Sequence, residues 1–287
     1  MAAAQAERVC GALLAALDGS VLPATLHSGF RGAANLSTPL GLVTLLSPGR
    51  CLQPYAALLA HGLDYRLLEP GVLTLGSEGV QLDGAPVVNF LGARPVALSL
   101  PPGPPPPPAM AEVLQRFLAG GPDEGLVPLA LGRDDGPYAK LLLPRLEALR
   151  SAARARDPAA AAAAAGRMAG CGVGLTPSSD DLLCGYLAAL PREAPWEAMA
   201  RAMARAAARG TNDISAALLL RAGDGLFSED VLALMTCLRL GADGPELEEA
   251  LDRVAAFGSS SGRDFLTGLY FGVIDALTMG GICIDSP

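Results

Sequence analysis

A run of prolines is the feature that most constrains how this chain can fold. Residues 100–110 read LPPGPPPPPAM. Proline has a fixed φ and no backbone N–H, so an extended polyproline segment is the plausible local structure. We therefore predict a β-rich or α/β N-terminal domain (1–100), a polyproline linker (101–109) and a mainly helical domain (110–287). The alternative is that the prolines form a surface loop within one compact body.

The two sides of this segment differ in their patterns. Before it, LGLVTLLSPG, GVLTLGSEGVQLDGAPVVNFLG and RPVALSL predict strands and hairpins, with LDGAP as a turn. Helices are also predicted near residues 4–17 and 54–62. After it, apolar residues recur at helical spacing, as in PWEAMARAMARAAARG and SEDVLALMTCLRLG. The predicted fold class is mixed α+β.

Charge and hydropathy narrow the possible partners. The formal net charge is −8, Lys140 is the only lysine, and no basic run is interleaved with aromatic residues, which excludes a typical nucleic-acid surface. No apolar run reaches the roughly 18–20 residues that a membrane span needs. The N-terminus lacks the basic start of a signal peptide. We therefore expect a cytoplasmic protein with neither nucleic acid nor membrane as a partner.

The metal-binding and nucleophilic residue types form no familiar motif. The six cysteines include no C-x-x-C pair, which favours free thiols over a disulfide framework. His27 and His61 are too few for a His-rich zinc site. Walker A, G-x-S-x-G and H-E-x-x-H motifs do not occur. No metal site and no cofactor is predicted, although Asp180 and Asp181 could bind Mg²⁺. The cysteines are Cys10, Cys51, Cys171, Cys184, Cys237 and Cys283.

One motif occurs twice in the C-terminal part. SSDDLLCGYL (178–187) and SGRDFLTGLY (261–270) share the form S-x-x-D-x-L-x-G, with each equivalent pair 83 residues apart. Both copies follow a loop rich in glycine and hydroxyl residues, and both precede an apolar run. One interpretation is purely structural, because the pattern is a variant of the helix capping box. Gly185 and Gly268 would then allow two helices to pack closely.

The same pattern also suits a binding site. A helix N-terminus that follows glycines presents N–H groups and a positive dipole, which favour phosphate or carboxylate. If the two loops face each other, they would surround a small anionic molecule, with Arg263 offsetting the carboxylates. The candidate catalytic residues are Asp180, Asp181 and Asp264. The candidate binding residues in the two copies are Gly174, Thr176, Ser178, Ser179, Ser260, Ser261 and Arg263.

Two other polar clusters add candidates. GTNDIS places Asn212 and Ser215 at the head of an apolar run, where helix capping explains them as well as ligand contact does. HSGFRGAANLSTPLG contributes Arg31 and Asn35 from a Gly-rich stretch. His27 lies in the same stretch, but a lone histidine is more often simply hydrogen-bonded in place.

These motifs resemble a known family. GVGLTPSSDDLLCGYLAAL, TNDISAALLLRAGDGLFSE and GSSSGRDFLTGLYFG, with NLSTPLGLVTLL nearer the N-terminus, are similar to a bacterial family that includes the AllH-type subunit of oxamate carbamoyltransferase. The likeness covers most of the chain apart from the polyproline and polyalanine segments. The family phrase has glycine where this chain has Ser179. A serine would disturb that position if the backbone there required glycine.

The resemblance implies one of three different subunits of an enzyme of anaerobic allantoin degradation. That enzyme transfers a carbamoyl group between carbamoyl phosphate and oxamate, giving oxalurate and phosphate, or runs in reverse. The residues suggest roles that fit: loops 174–179 and 258–261 for phosphate and the carbamoyl oxygen, Arg263 or Arg31 for the oxamate carboxylate, and Asp181 or Asp264 as general base. The alternatives are a non-catalytic ligand-binding or scaffold subunit, or another carbamoyl or phosphoryl transfer.

Overall fold

The structure is a computed structural model that describes residues 3–68, 71–136 and 138–279 of the chain. Its internal contacts divide the chain into two units. The first unit comprises residues 1–99 and 227–229, and the second comprises residues 100–226 and 230–287. Strands are concentrated in the first unit and helices in the second. The prediction of a mixed α+β fold is therefore confirmed.

The first unit is built on one nine-stranded sheet that closes on itself. The strands neighbour one another in the order β5-β4-β3-β2-β6-β7-β8-β1-β9, and β1 also pairs with β5 in antiparallel fashion. Leucine and valine side chains from several strands, including Leu36, Leu45 and Val80, are completely buried in its core. The strands are β1 (Ala4–Cys10), β2 (Val21–Phe30), β3 (Ala33–Thr38), β4 (Gly41–Leu46), β5 (Ala56–Leu59), β6 (Leu73–Gly76), β7 (Gly79–Leu82), β8 (Ala85–Asn89) and β9 (Arg94–Val96).

The predicted strands and turn of this unit are confirmed. The run LGLVTLL contains β4, the run from Gly71 contains β6, β7 and β8, and RPV forms β9. Asp83 and Gly84 form the predicted turn between β7 and β8, and both have positive φ angles of 50° and 80°. The alternation of apolar and polar residues and the turn residues were sufficient to predict these strands, because the strands of a hairpin are also neighbours in sequence.

Both helices predicted in this unit are wrong in whole or in part. Of residues 4–17, Ala4–Cys10 form β1, and only Gly11–Ala16 form a helix, α1. Of residues 54–62, Ala56–Leu59 form β5, whose four residues are all buried. Alanine and leucine favour helix locally, but β1 and β5 pair with each other, and that pairing outweighs the propensity. A four-residue apolar run has no period that could have shown this.

The second unit is helical, and its predicted helices are confirmed. The run after Pro158, for example, forms α5, and Asp157 accepts hydrogen bonds from two backbone amides of its first turn. Among the described residues, no helix is long and apolar enough to cross a lipid bilayer. The helices are α2 (Ala109–Ala119), α3 (Val127–Ala130), α4 (Ala139–Arg154), α5 (Pro158–Met168), α6 (Ser178–Ala189), α7 (Trp196–Ala208), α8 (Asp213–Gly223), α9 (Glu229–Arg239), α10 (Pro245–Ala255) and α11 (Ser261–Met279).

Helix α6 occupies the centre of the second unit. All of its residues are buried, from Ser178 to Ala189, and it packs most extensively against α11. A helix buried on every side needs apolar or small residues all round, and most of α6 meets that requirement. The exceptions are the polar residues of its first turn, and these belong to the repeated motif.

Candidate active site at the paired helix N-termini

The two copies of the repeated motif begin two helices that lie side by side. A Cβ atom added at Gly268 would lie 1.8 Å from the carbonyl oxygen of Leu182, and one at Gly185 would lie 1.9 Å from that of Phe265. Leu182 and Phe265 are themselves equivalent in the repeat. Further along, Gly272 approaches Tyr186 and Ala189 in the same way. The contacts advance in the same direction on α6 and α11, so the helices are parallel and their N-termini lie at the same end.

The polar residues of the two copies bond to each other across this pair. The Ser261 hydroxyl approaches the carboxyl of Asp181, and the Ser178 hydroxyl approaches the carboxyl of Asp264. The Thr176 and Ser261 hydroxyl oxygens are 2.9 Å apart. Each serine therefore lies beside the carboxyl of the other copy, a reciprocal arrangement that two separately capped helices would not show.

Burial alters the acidity of both carboxyls. Asp181 is 9% exposed, and burial raises the pKa of its carboxyl to about 8, while hydrogen bonds from Ser261 and Thr176 act in the opposite direction. Asp264 is completely buried, and burial raises the pKa of its carboxyl to about 6. Its opposing hydrogen bonds come from the Leu126 amide and from two serines. Titration near neutrality is what a general acid or base requires.

Asp180 and Ser179 hold the preceding loop in place. Asp180 Oδ1 accepts a hydrogen bond from the Gly170 amide at 2.8 Å, and its Oδ2 accepts one from the Thr211 hydroxyl. Ser179 Oγ accepts one from the Cys171 amide at 2.9 Å. Ser179 lies inside α6, whose right-handed helical backbone suits any L-residue. Serine therefore causes no backbone strain at the position where the family phrase has glycine.

Asn212 connects α8 to the same loop. Its Oδ1 accepts hydrogen bonds from the amides of Ile214 and Ser215, both at 3.0 Å, and its Nδ2 donates one to the Leu175 carbonyl at 3.0 Å. Asn212 is thus the N-cap of α8, as the structural interpretation of the sequence predicted, and it also ties α8 to the loop before α6. Ser215 is 1% exposed, and no described residue hydrogen-bonds its buried hydroxyl.

Removing this tether provides a first test. We expect Asn212→Ala to lower the free energy of unfolding by about 1 kcal/mol, since the cap and the loop contact are both lost. Urea unfolding followed by circular dichroism measures the change. Asn212→Asp is the matched control, because it keeps an acceptor for the cap while removing the donor to Leu175. An alanine variant as stable as the wild type would contradict the capping role.

Several α6 donors that could have bound an anion already have partners. The amide of Ser179 donates to the Cys171 carbonyl at 3.0 Å, and those of Asp180 and Asp181 donate to the Pro177 carbonyl. In the second copy, the Ser260 hydroxyl donates to Asp264 Oδ2 at 3.1 Å. Gly174, with a φ of +99°, lies in the loop that precedes α6, between Cys171 and Pro177.

Arg263 does not contact the carboxyls through any hydrogen bond in the structure. It is 5% exposed, its Nη2 donates to the Leu118 carbonyl at 2.7 Å, and its guanidinium lies 5.8 Å from the centre of the Phe117 ring. Gly121 packs against the same guanidinium. The side chain of Arg263 therefore packs against α2 and the turn that follows it.

Arg31 lies in the turn between β2 and β3 of the first unit, and Asn35 lies on β3. Asn35 Nδ2 donates to Ser28 Oγ at 3.1 Å, and Asn35 Oδ1 accepts from the Thr44 hydroxyl at 2.8 Å. Ser28 Oγ is also 3.0 Å from Nδ1 of His27. Arg31 lines an open surface pocket together with other residues of its own unit.

Asp275 is a buried charge that the sequence reasoning missed. Its carboxylate is completely buried and accepts hydrogen bonds from Arg150 Nε at 2.9 Å, Arg150 Nη2 at 3.0 Å and the Tyr186 hydroxyl at 3.1 Å. Arg154 Nη1 lies 3.4 Å from Asp275 Oδ1. The available signal was a single carboxylate within the apolar run LYFGVIDALTM. Such a residue needs a buried partner, so it predicts an ion pair.

Metal ligands do not cluster in the described part of the chain. No group of three or more His, Cys, Asp or Glu residues there could hold a metal ion. Cys10, Cys171, Cys184 and Cys237 are free thiols, while Cys283 lies outside the described residues.

Comparison with known proteins identifies the segment that carries this site. No curated protein and no solved structure matches the chain. A family model described as oxamate carbamoyltransferase subunit AllH matches residues 168–273. That segment contains both copies of the repeated motif and everything between them. Residues 168–273 therefore have the sequence pattern of the AllH subunit family, and the predicted resemblance is confirmed over this segment.

Proposed function

We propose that this chain is a subunit of a carbamoyltransferase that acts on oxamate, with the paired N-termini of α6 and α11 at its active site. The observation that carries the proposal is the coincidence of the family match, residues 168–273, with the two closely packed helices whose N-terminal polar groups meet. Two acids with pKa values near neutrality support proton transfer. Other subunits of the complex would be its protein partners, as in anaerobic allantoin degradation.

The reaction has a definite proton balance. In the direction of synthesis, the amide nitrogen of oxamate attacks the carbamoyl carbon of carbamoyl phosphate, the bond from carbon to the phosphate oxygen breaks, and phosphate leaves. The nitrogen must lose a proton, and Asp181 or Asp264 would receive it. Gly174, Thr176 and Ser260 would contact the phosphate and the carbamoyl oxygen. In reverse, the same groups would support phosphorolysis of oxalurate.

The test is turnover by the reconstituted complex of this chain with its partner subunits. We expect Asp181→Asn and Asp264→Asn each to lower kcat by about 100-fold or more, the usual contribution of a general acid or base. Asp243→Asn is the matched control, because Asp243 is an exposed carboxylate outside both motifs. Its turnover should equal that of the wild type.

A non-catalytic subunit is the second candidate, and specific contacts favour it. Asp180, Arg263 and the first amides of α6 all have partners within the chain, as structural groups do. Such a subunit would bind a ligand or hold its partners together while chemistry occurs elsewhere. If the reconstituted complex keeps full turnover with both Asp181→Asn and Asp264→Asn, this second function is correct.

A further inference from the structure

The two equivalent carboxyls differ in one respect. Asp264 Oδ1 accepts a hydrogen bond from the backbone amide of Leu126 at 2.6 Å, and its Oδ2 accepts one from Ser260. Among the residues that the structure describes, nothing donates a hydrogen bond to the buried Oδ2 of Asp181. The loop amides beside the first copy donate instead to Asp180 and Ser179. The protein thus supplies an amide donor to one carboxyl of the pair and not to the other.

We propose that Asp181 Oδ2 accepts a hydrogen bond from the neutral amide N–H of a small-molecule substrate, in the role that the Leu126 amide has at Asp264. Asp181 is then the catalytic carboxyl of the pair, and Asp264 is a positioning residue. This assignment rests on the proposed function and deepens it, because it states which carboxyl meets the amide group of the substrate.

The surrounding charges favour an amide over an anion at this position. Besides burial, the charged groups that act on Asp181 are the carboxyls of Asp264 and Asp180, both of which raise its pKa. Burial raises the pKa of the neighbouring Cys184 thiol, and the charge of Asp181 raises it further. A phosphate or carboxylate oxygen placed against Oδ2 would be repelled by these like charges and by Asp181 itself once its carboxyl is ionised. A neutral N–H donor is not repelled, and it relieves the cost of a buried acceptor without a partner.

The same contact predicts how binding depends on pH. With a pKa of about 8, Asp181 is mostly protonated at neutrality, whereas an N–H donor prefers the carboxylate. Binding of the amide therefore releases a proton, and affinity should rise with pH up to about 8 and then level off. Asp264 has its donor already, and its pKa is the lower of the two.

The experiment compares oxamate with oxalate, which has a carboxylate in place of the amide. Their dissociation constants are measured by isothermal titration calorimetry from about pH 6 to about pH 9, with the full chain alone and in its assembled complex. We expect the wild type to prefer oxamate, with an affinity that rises up to tenfold per pH unit below pH 8. Asp181→Asn should reduce the preference about tenfold and remove the pH dependence. Asp243→Asn, which changes an exposed carboxylate outside both motifs, should keep both.

Three results would overturn the assignment. The first is a wild type that binds oxalate as well as oxamate, and the second is a wild-type oxamate affinity that does not rise with pH. The third is a folded Asp181→Asn variant that keeps the preference. The wild-type pH profile decides the matter if the variant does not fold. The proposed function fails separately. A complex that prefers oxamate through Asp181 but does not consume carbamoyl phosphate would keep this assignment and lose the transferase activity.

Discussion

Replacing Gly185 or Gly268 with alanine is expected to cost at least about 3 kcal/mol of unfolding free energy, the upper end of the range for overpacking. The added Cβ would lie 1.9 Å or 1.8 Å from a backbone carbonyl oxygen of the other helix. Neither helix can yield by a side-chain rotation, because the clash is with backbone. The two helices must separate, which also breaks the hydrogen bond between Thr176 and Ser261 at their N-termini. Urea unfolding followed by circular dichroism gives the change, or shows that the variant is unfolded.

Gly166→Ala is the matched control for this prediction. Gly166 also lies inside a helix, α5, but a Cβ there would meet its nearest atom, the Ala206 carbonyl oxygen, at 3.4 Å. Its replacement should be neutral or stabilise the protein by up to about 1 kcal/mol, since alanine favours helix over glycine. If Gly185→Ala and Gly166→Ala had the same stability, the close approach of α6 and α11 would be wrong.

Removing the Asp275 carboxylate is the second change with a large expected effect. We expect Asp275→Ala to lower the free energy of unfolding by about 3–5 kcal/mol, the range for breaking a buried ion pair. Arg150, whose side chain is 12% exposed, would lose both of its hydrogen bonds to that carboxylate, and Tyr186 would lose its acceptor. Thermal and urea unfolding both measure the effect.

The control is the other carboxylate that contacts Arg150. Glu147 is 3.0 Å from Arg150 Nη1, but its side chain is 50% exposed. Glu147→Ala should therefore cost less than about 1 kcal/mol, as exposed ion pairs usually do. Equal losses for Asp275→Ala and Glu147→Ala would mean that burial of the carboxylate does not set the cost.

Sequence patterns predicted most of what is local in this fold. The hairpins β6–β7–β8 follow from alternation and turn residues, and α5 follows from alanine propensity after Pro158. The strands β1 and β5 could not be predicted in this way. Each depends on the other, and 45 residues separate the end of β1 from the start of β5. Local propensity contains no information about that pairing.

The repeated motif predicted the candidate site residues, and in the structure its two copies lie together. Asp181, Asp264, Thr176 and the two serines are close neighbours because both glycines allow parallel packing. The direction of Arg263 was not predictable, since an arginine side chain reaches far enough to lie on either side of its helix. Its partner, the Leu118 carbonyl, is exposed to it only because α2 ends there. The role of each site residue in catalysis stays a prediction.

The pairing of α6 with α11 also has a consequence for biosynthesis. Every residue of α6 is buried, yet its main partner begins only at Ser261, more than 70 residues after α6 ends. At typical rates of translation, on the order of ten residues per second, α6 is synthesised several seconds before α11 is available to pack against it. Contacts between such distant segments also close slowly. Asp181 and Asp264 can therefore come together only after α11 has been synthesised. A nascent chain that stops before α11 leaves the apolar surface of α6 exposed and able to aggregate.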